Sequence, residues 1–145
     1  MTFVTQHRWV LPENARDIAL RCCIHDHNVR YDLHAVVIMP DHAHLILTPL
    51  INFSAQRVYT LAEILDAIKG ASAHLINRAL HRHGCVWQDE YFDHVLRSSE
   101  ALDEKIGYIL DNPVRRGLVT LRQNYRWTWV ADEVGSFAEL GILRP

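Results

Sequence analysis

The alternation of apolar and polar positions divides the chain into short elements. Residues 2–11, TFVTQHRWVL, predict a strand. Ala15, Ile18, Ala19 and Cys22 recur at helical spacing across 13–26. Residues 30–39, RYDLHAVVIM, are rich in β-formers and run into Pro40-Asp41; proline cannot donate to a ladder, so this dipeptide belongs in a turn. The chain resumes as HAHLILTPL, and two strands around so short a turn predict a hairpin. A long helix follows over 60–83. Thr60 and Glu63 have the spacing of a capping box, Leu61, Ile64, Leu65, Ile68, Leu75, Ile76 and Ala79 form the apolar stripe, and Gly84 is a natural stop. Residues 85–96 read as a further strand, and a second helix runs from about Ser98 to Asp111, ended by Asn112-Pro113. The order βαββαβ plus a late helix predicts an α+β domain over residues 1–145, with one antiparallel sheet and two helices on one face.

Composition narrows the class. The net charge of −2 over 145 residues gives no whole-molecule field that would favour nucleic acid. Its distribution is more informative: acidic residues cluster over 89–104, whereas Arg115, Arg116, Arg122 and Arg126 follow Lys105. Arginine suits bidentate phosphate contacts, although a solvated mixed surface has the same composition. Three cysteines, Cys22, Cys23 and Cys85, make a poor disulfide framework and predict reduced thiols. No apolar run approaches the ~18 residues of a membrane span, and the first residues lack a signal-peptide pattern, so a cytoplasmic protein is expected.

The stretch VVIMPDHAHLILTP, residues 36–49, carries two histidines in an otherwise apolar run. Burying imidazole costs free energy unless its nitrogens find partners. On a strand His42 and His44 share a face, roughly 7 Å apart along the chain, and can converge on one cation. Manganese and zinc suit histidine, magnesium less often. The alternative is a pair of hydrogen-bonded core or edge histidines. Two similar pairs, His25/His27 and His81/His83, sit at polar helix ends, where residues i and i+2 diverge.

In the late helix Leu102, Ile106, Ile109 and Leu110 fall on one face, and Tyr108 falls roughly opposite them. Asn112 lies one turn further on the tyrosine's side. Taken alone, this is also what a half-exposed tyrosine beside a helix-ending asparagine would look like.

Together the two segments carry more. MPDHAHLIL followed by YILDNPVRRGLV resembles the single-tyrosine transposases of bacterial insertion sequences, members of the HUH endonuclease superfamily, and most of all the transposases associated with repetitive extragenic palindromes. Met39-Pro40-Asp41-His42-Ala43-His44, Trp87-Gln88 and Tyr108 through Val119 carry the likeness, which spans roughly residues 2–130. It implies a ferredoxin-like βαββαβ antiparallel sheet with an added C-terminal helix bearing the tyrosine. It also implies metal-dependent cleavage and strand transfer of single-stranded DNA, with hairpin or palindromic ends, through a 5′-phosphotyrosine. Tyr108 would be the nucleophile, and His42, His44 and Asn112 would hold Mg2+ or Mn2+. Asp41 and Asp111 stand where asparagine is frequent or also seen and touch no expected ligand.

Lys69, Ser72 and Arg78 on the polar side of the long helix, with Arg115 and Arg116, are candidate phosphate contacts or ordinary solvated residues. Trp127 and Trp129 alternate as on a strand and either pack in the core or stack on bases. His94 echoes the family without an evident chemistry. Of the five tyrosines, Tyr91 is the rival to Tyr108. The short connection from Leu96 to Ser99 favours a helix kept in its own chain, hence a monomer able to form a homodimer on DNA. Two other functions fit the same fold: a non-catalytic nucleic-acid-binding module, and a hydrolytic metal-dependent phosphodiesterase.

Overall fold

The first eleven residues do not make one strand. In a computed structural model describing residues 1–131, β1 spans Thr2–Thr5 and the chain then turns through a 3-10 segment, Gln6–Arg8. His7 and Arg8 take φ of 53° and 56°, a left-handed backbone that no strand accommodates. The segment instead folds over a neighbouring turn, with Thr5 N donating to the Asp41 carbonyl and Leu11 N to the Pro40 carbonyl.

Helix α1, Glu13–His25, begins directly after Pro12 and buries Ala15, Ala19, Leu20 and Cys23. The buried stripe thus takes Cys23 where the spacing had suggested Cys22. Strands β2, Tyr31–Ile38, and β3, His42–Pro49, form the expected hairpin around Pro40-Asp41, closed by Met39 N donating to the His42 carbonyl. A minor ladder not visible in the sequence follows, β4 at Ile51–Asn52 against β5 at Arg57–Val58. Helix α2, Leu61–Ala79, opens on the capping box: the Thr60 side chain accepts from Glu63 N while the Glu63 carboxylate accepts from Thr60 N. Strand β6 is Trp87–Phe92. Helix α3, Ser99–Leu110, is capped by the Ser98 hydroxyl, which accepts from Ala101 N. Asn112-Pro113 redirects the chain without ending helical structure, because proline is tolerated in a first turn; α4 spans Asn112–Arg115. Strand β7 is Thr128–Val130.

The main sheet has the order β6-β1-β3-β2-β7 with every neighbouring pair antiparallel. Its two faces are covered by different helices. Ala43, Leu45 and Phe3 are buried on the side of α1 and α2, where the Tyr31 hydroxyl donates to the Cys23 carbonyl and the Trp87 indole to the Ser72 hydroxyl. The alternate residues, Thr2, Val4, His42 and His44, face the side of α3. Trp127 and Trp129 are packed at 8% and 7% exposure: the Trp127 indole donates to Asp17, and Trp129 pairs with Val36. They therefore serve packing rather than base stacking. Among the described residues no helix is long and apolar enough to cross a membrane.

Candidate active site

Strand alternation delivers the two histidines to one face, and the hydrogen bonds of each ring fix its orientation. The His42 Nδ1 lies 2.6 Å from Asp41 Oδ1. The His44 Nδ1 lies 2.8 Å from Thr2 Oγ1, a neighbour supplied by the β1–β3 register. The two Nε2 atoms face each other at 3.1 Å, with the rings nearly perpendicular. Asn112, at the α3–α4 junction, reaches across the sheet and donates from Nδ2 to His44 Nε2 at 2.7 Å.

This pattern constrains the protons. Burial pushes the Asp41 carboxyl up, but the hydrogen bond from His42 and the charges of His42 and Arg8 outweigh it, so its net shift is downward. An ionised carboxylate only accepts, so the His42 Nδ1 carries a proton and a neutral His42 presents a lone pair at Nε2. Burial, followed by the charges of His42, the Met1 amino group, Lys105 and Arg116, pushes His44 down to about 3 and leaves it neutral. Its Nε2 accepts from Asn112, so its proton also sits at Nδ1, donated to Thr2. With His42 neutral, two lone pairs meet at 3.1 Å, an arrangement that a proton or a cation relieves. Two nitrogens each ~2.1 Å from one ion and at right angles would be ~3.0 Å apart, so the pair fits a divalent ion. Among the described residues no cluster of three or more His, Cys, Asp or Glu side chains is placed to hold a metal. A third ligand would therefore come from the Asn112 amide, which presents its oxygen when rotated about its last bond, or from water or substrate.

Tyr108 is half exposed on α3, one turn before Asn112. Its ring is covered by the Arg115 guanidinium at 3.9 Å and the Lys105 ammonium at 4.7 Å, and Arg115 also donates to the Tyr108 carbonyl. The ring borders a shallow depression with Glu104, Asp111 and Arg115. A separate cavity of about 610 Å³ lies against His44, walled by β3, residues 93–99 and Lys105, with His94 on its rim. Tyr108 lines the depression and His44 the cavity, so the two border different hollows.

The other expected contacts divide. Arg115 and Arg116 are exposed beside the tyrosine, and Arg78 is exposed on α2. The Lys69 ammonium donates to the Asp89 carbonyl, tying α2 to β6. Ser72 is not a phosphate contact: it is fully buried, donates to the Ile68 carbonyl and accepts from the Trp87 indole. Contrary to the expectation that Asp41 touches no ligand, its carboxylate holds His42 directly. Its position next to His42 in a turn was the available signal, because a turn residue can curl back onto its neighbour where a strand residue cannot. Thr2 could not be found from sequence, since only the sheet order brings it to His44.

A βαββαβ sheet whose central strand presents paired histidines to a tyrosine-bearing helix defines a class. The family model of IS200-like transposases matches residues 3–112, and the chain belongs to that family. A Haemophilus influenzae protein provisionally named REP-associated tyrosine transposase is 24% identical over 102 residues, 68% of this chain; the chain spans only 58% of that relative's length. The solved structure of a REP-associated tyrosine transposase bound to a REP hairpin shares the fold, with a TM-score of 0.65 at 20% identity, covering 99% of this chain and 90% of that one.

Proposed function

We propose that the chain, acting as one ferredoxin-like domain, cleaves and rejoins single-stranded DNA at hairpin or palindromic ends. Tyr108 is the nucleophile, and His42, His44 and Asn112 hold a divalent ion, Mn2+ or Mg2+. The carrying observation is the meeting of the His42 and His44 Nε2 atoms, 3.1 Å apart, and an amide one helical turn from an exposed tyrosine. The likeness to a hairpin-bound structure supports the choice of substrate. The ion would polarise a phosphate oxygen and offset the charge that develops on it.

The remaining chemistry belongs to this chain. The Tyr108 phenol loses its proton to solvent as its oxygen bonds to phosphorus. The bond from phosphorus to the 3′ oxygen breaks, and that oxygen takes a proton from water. The products are a 5′-phosphotyrosine and a free 3′-hydroxyl, and attack by a 3′-hydroxyl on the phosphotyrosine reverses the step without ATP. Arg115, fixed by the helix's own carbonyl, and Lys105 place two cations around the tyrosine ring, where an incoming phosphate needs them. Arg116 adds a third cation near His44. In this reading each site is built in cis, supported by the reach of Asn112 to His44 of the same chain.

The test is incubation of the full chain with a labelled single-stranded DNA hairpin and Mn2+, followed by denaturing electrophoresis. A covalent adduct is expected, absent in Tyr108→Phe and in His42→Ala. An adduct that survives Tyr108→Phe but is lost in Tyr91→Phe would reassign the nucleophile. Cutting without any adduct would favour a hydrolytic phosphodiesterase, and hairpin binding without cutting a non-catalytic module. Activity restored by mixing Tyr108→Phe with His44→Ala would show that sites are shared between chains.

A further inference from the structure

The turn that launches β3 is braced from outside in a way that neither strand requires. Thr5 donates to the Asp41 carbonyl from both its backbone nitrogen, at 2.9 Å, and its hydroxyl, at 3.0 Å. Leu11 N donates to the Pro40 carbonyl at 2.7 Å. Between these anchors His7 and Arg8 both adopt left-handed backbone, which costs conformational energy in residues with side chains. The conformation brings the Arg8 guanidinium to 3.2 Å from Asp41 Oδ2. The other carboxylate oxygen, Oδ1, is 2.6 Å from the His42 Nδ1. One carboxylate is therefore held at one oxygen by Arg8 and holds a ring nitrogen with the other.

An imidazole's two tautomers present different faces to a cation, and the hydrogen bond at one nitrogen selects which is populated. An acceptor at Nδ1 puts the proton there and leaves the Nε2 lone pair outward. We infer that Asp41, braced by Arg8, is a positioning residue that locks His42 in its Nδ1–H tautomer and aims Nε2 at the divalent ion. This rests on the metal reading above for its purpose, but the tautomer itself does not depend on metal. Thr2 gives His44 a hydroxyl partner, which can donate or accept and so does not select a tautomer by itself. The lock on His42 is the stricter of the two.

Two measurements test it. Long-range 15N–1H spectra of the metal-free protein at about pH 8.5, above the ordinary histidine range, should show His42 as Nδ1–H. They should show a shift toward Nε2–H in Asp41→Ala and a mixture of the two tautomers in Asp41→Asn, whose amide can accept or donate. Mn2+ titration should show affinity lowered ~10–100-fold in Asp41→Ala, as removal of a carboxylate behind a ligating histidine typically does, with a smaller loss in Arg8→Gln. An unchanged His42 tautomer in Asp41→Ala overturns the inference, as does Mn2+ affinity equal to the parent's. If the parent chain binds no Mn2+, the metal reading fails while the tautomer spectra still decide the role of Asp41. Asp41→Asn serves as the folded reference should the alanine variant prove unstable.

Discussion

Replacing Ser72 with alanine separates stability from DNA contact. The Ser72 hydroxyl is fully buried, accepts from the Trp87 indole at 2.9 Å and donates to the Ile68 carbonyl at 2.6 Å. Losing the donated bond matters little, because that carbonyl also lies in the helix ladder. Losing the accepted bond leaves a buried indole N–H without a partner, at a cost of ~1–3 kcal/mol. Alanine returns about 0.5 kcal/mol through better helix propensity. The net expectation is a loss of ~0.5–2.5 kcal/mol. With an unfolding entropy of ~2.1 cal/mol/K per residue the chain loses ~0.3 kcal/mol per degree near its midpoint, so Tm should fall by ~2–8 °C. Thermal or urea unfolding of Ser72→Ala measures this, and the Trp87→Phe/Ser72→Ala pair gives the coupling, since Phe removes the orphaned donor. Hairpin affinity and its salt dependence should be unchanged, because the residue lies beneath the surface. An unchanged Tm would refute the burial argument, and a lowered hairpin affinity in the folded variant would restore Ser72 as a phosphate contact.

Arg115→Gln and Arg116→Gln should each weaken hairpin binding uniformly across sequences and lower the salt slope by roughly 0.7, the value for one contact to a single-stranded phosphate, as measured by titration across salt concentrations. Thiol labelling should find Cys85 first, since it is exposed; burial pushes the Cys22 thiol up to about 11 and raises the fully buried Cys23 further, so Cys22 should lag and Cys23 react only on unfolding. The hydrogen bonds from Arg57, followed by those from Thr60, hold Glu63 well below the ordinary carboxylate range. Its contribution should therefore be fully present above about pH 4.3, the free-glutamate value, and be lost as pH falls below it; Glu63→Gln should flatten that part of the acid unfolding curve.

Much of the site follows from the two periods of regular structure. Alternation on β3 places His42 and His44 on one face, and the helical repeat places Asn112 one turn beyond Tyr108, so each half was legible from spacing. Ser72 was legible too but misread: Ile68, Ser72 and Ile76 are four apart and form one buried row, which counting only apolar residues interrupts at the hydroxyl. The first strand was overextended because TFVTQHRWVL has β composition throughout. Tertiary contacts to the Pro40-Asp41 turn override that preference and impose the left-handed pair at His7 and Arg8.

What neither period can supply is the distance between the halves. His44 and Asn112 are 68 residues apart in sequence and meet only because α3 lies across the face of the sheet opposite α1 and α2. That face is held by few side chains: Ile109 is the one residue of α3 that is fully buried, with Leu102, Ile106 and Leu110 partly so. A helix held by so little apolar area sits toward the low end of local stability. A ligand that engages both His44 and Asn112 therefore binds the docked helix and not the undocked one, and stabilises docking by RT ln(1 + [L]/Kd). Under the proposed ligand set, Mn2+ should slow amide exchange along α3 while leaving α1 and α2 unchanged. Protection spread evenly over the molecule would mean that the ion does not bridge the two halves.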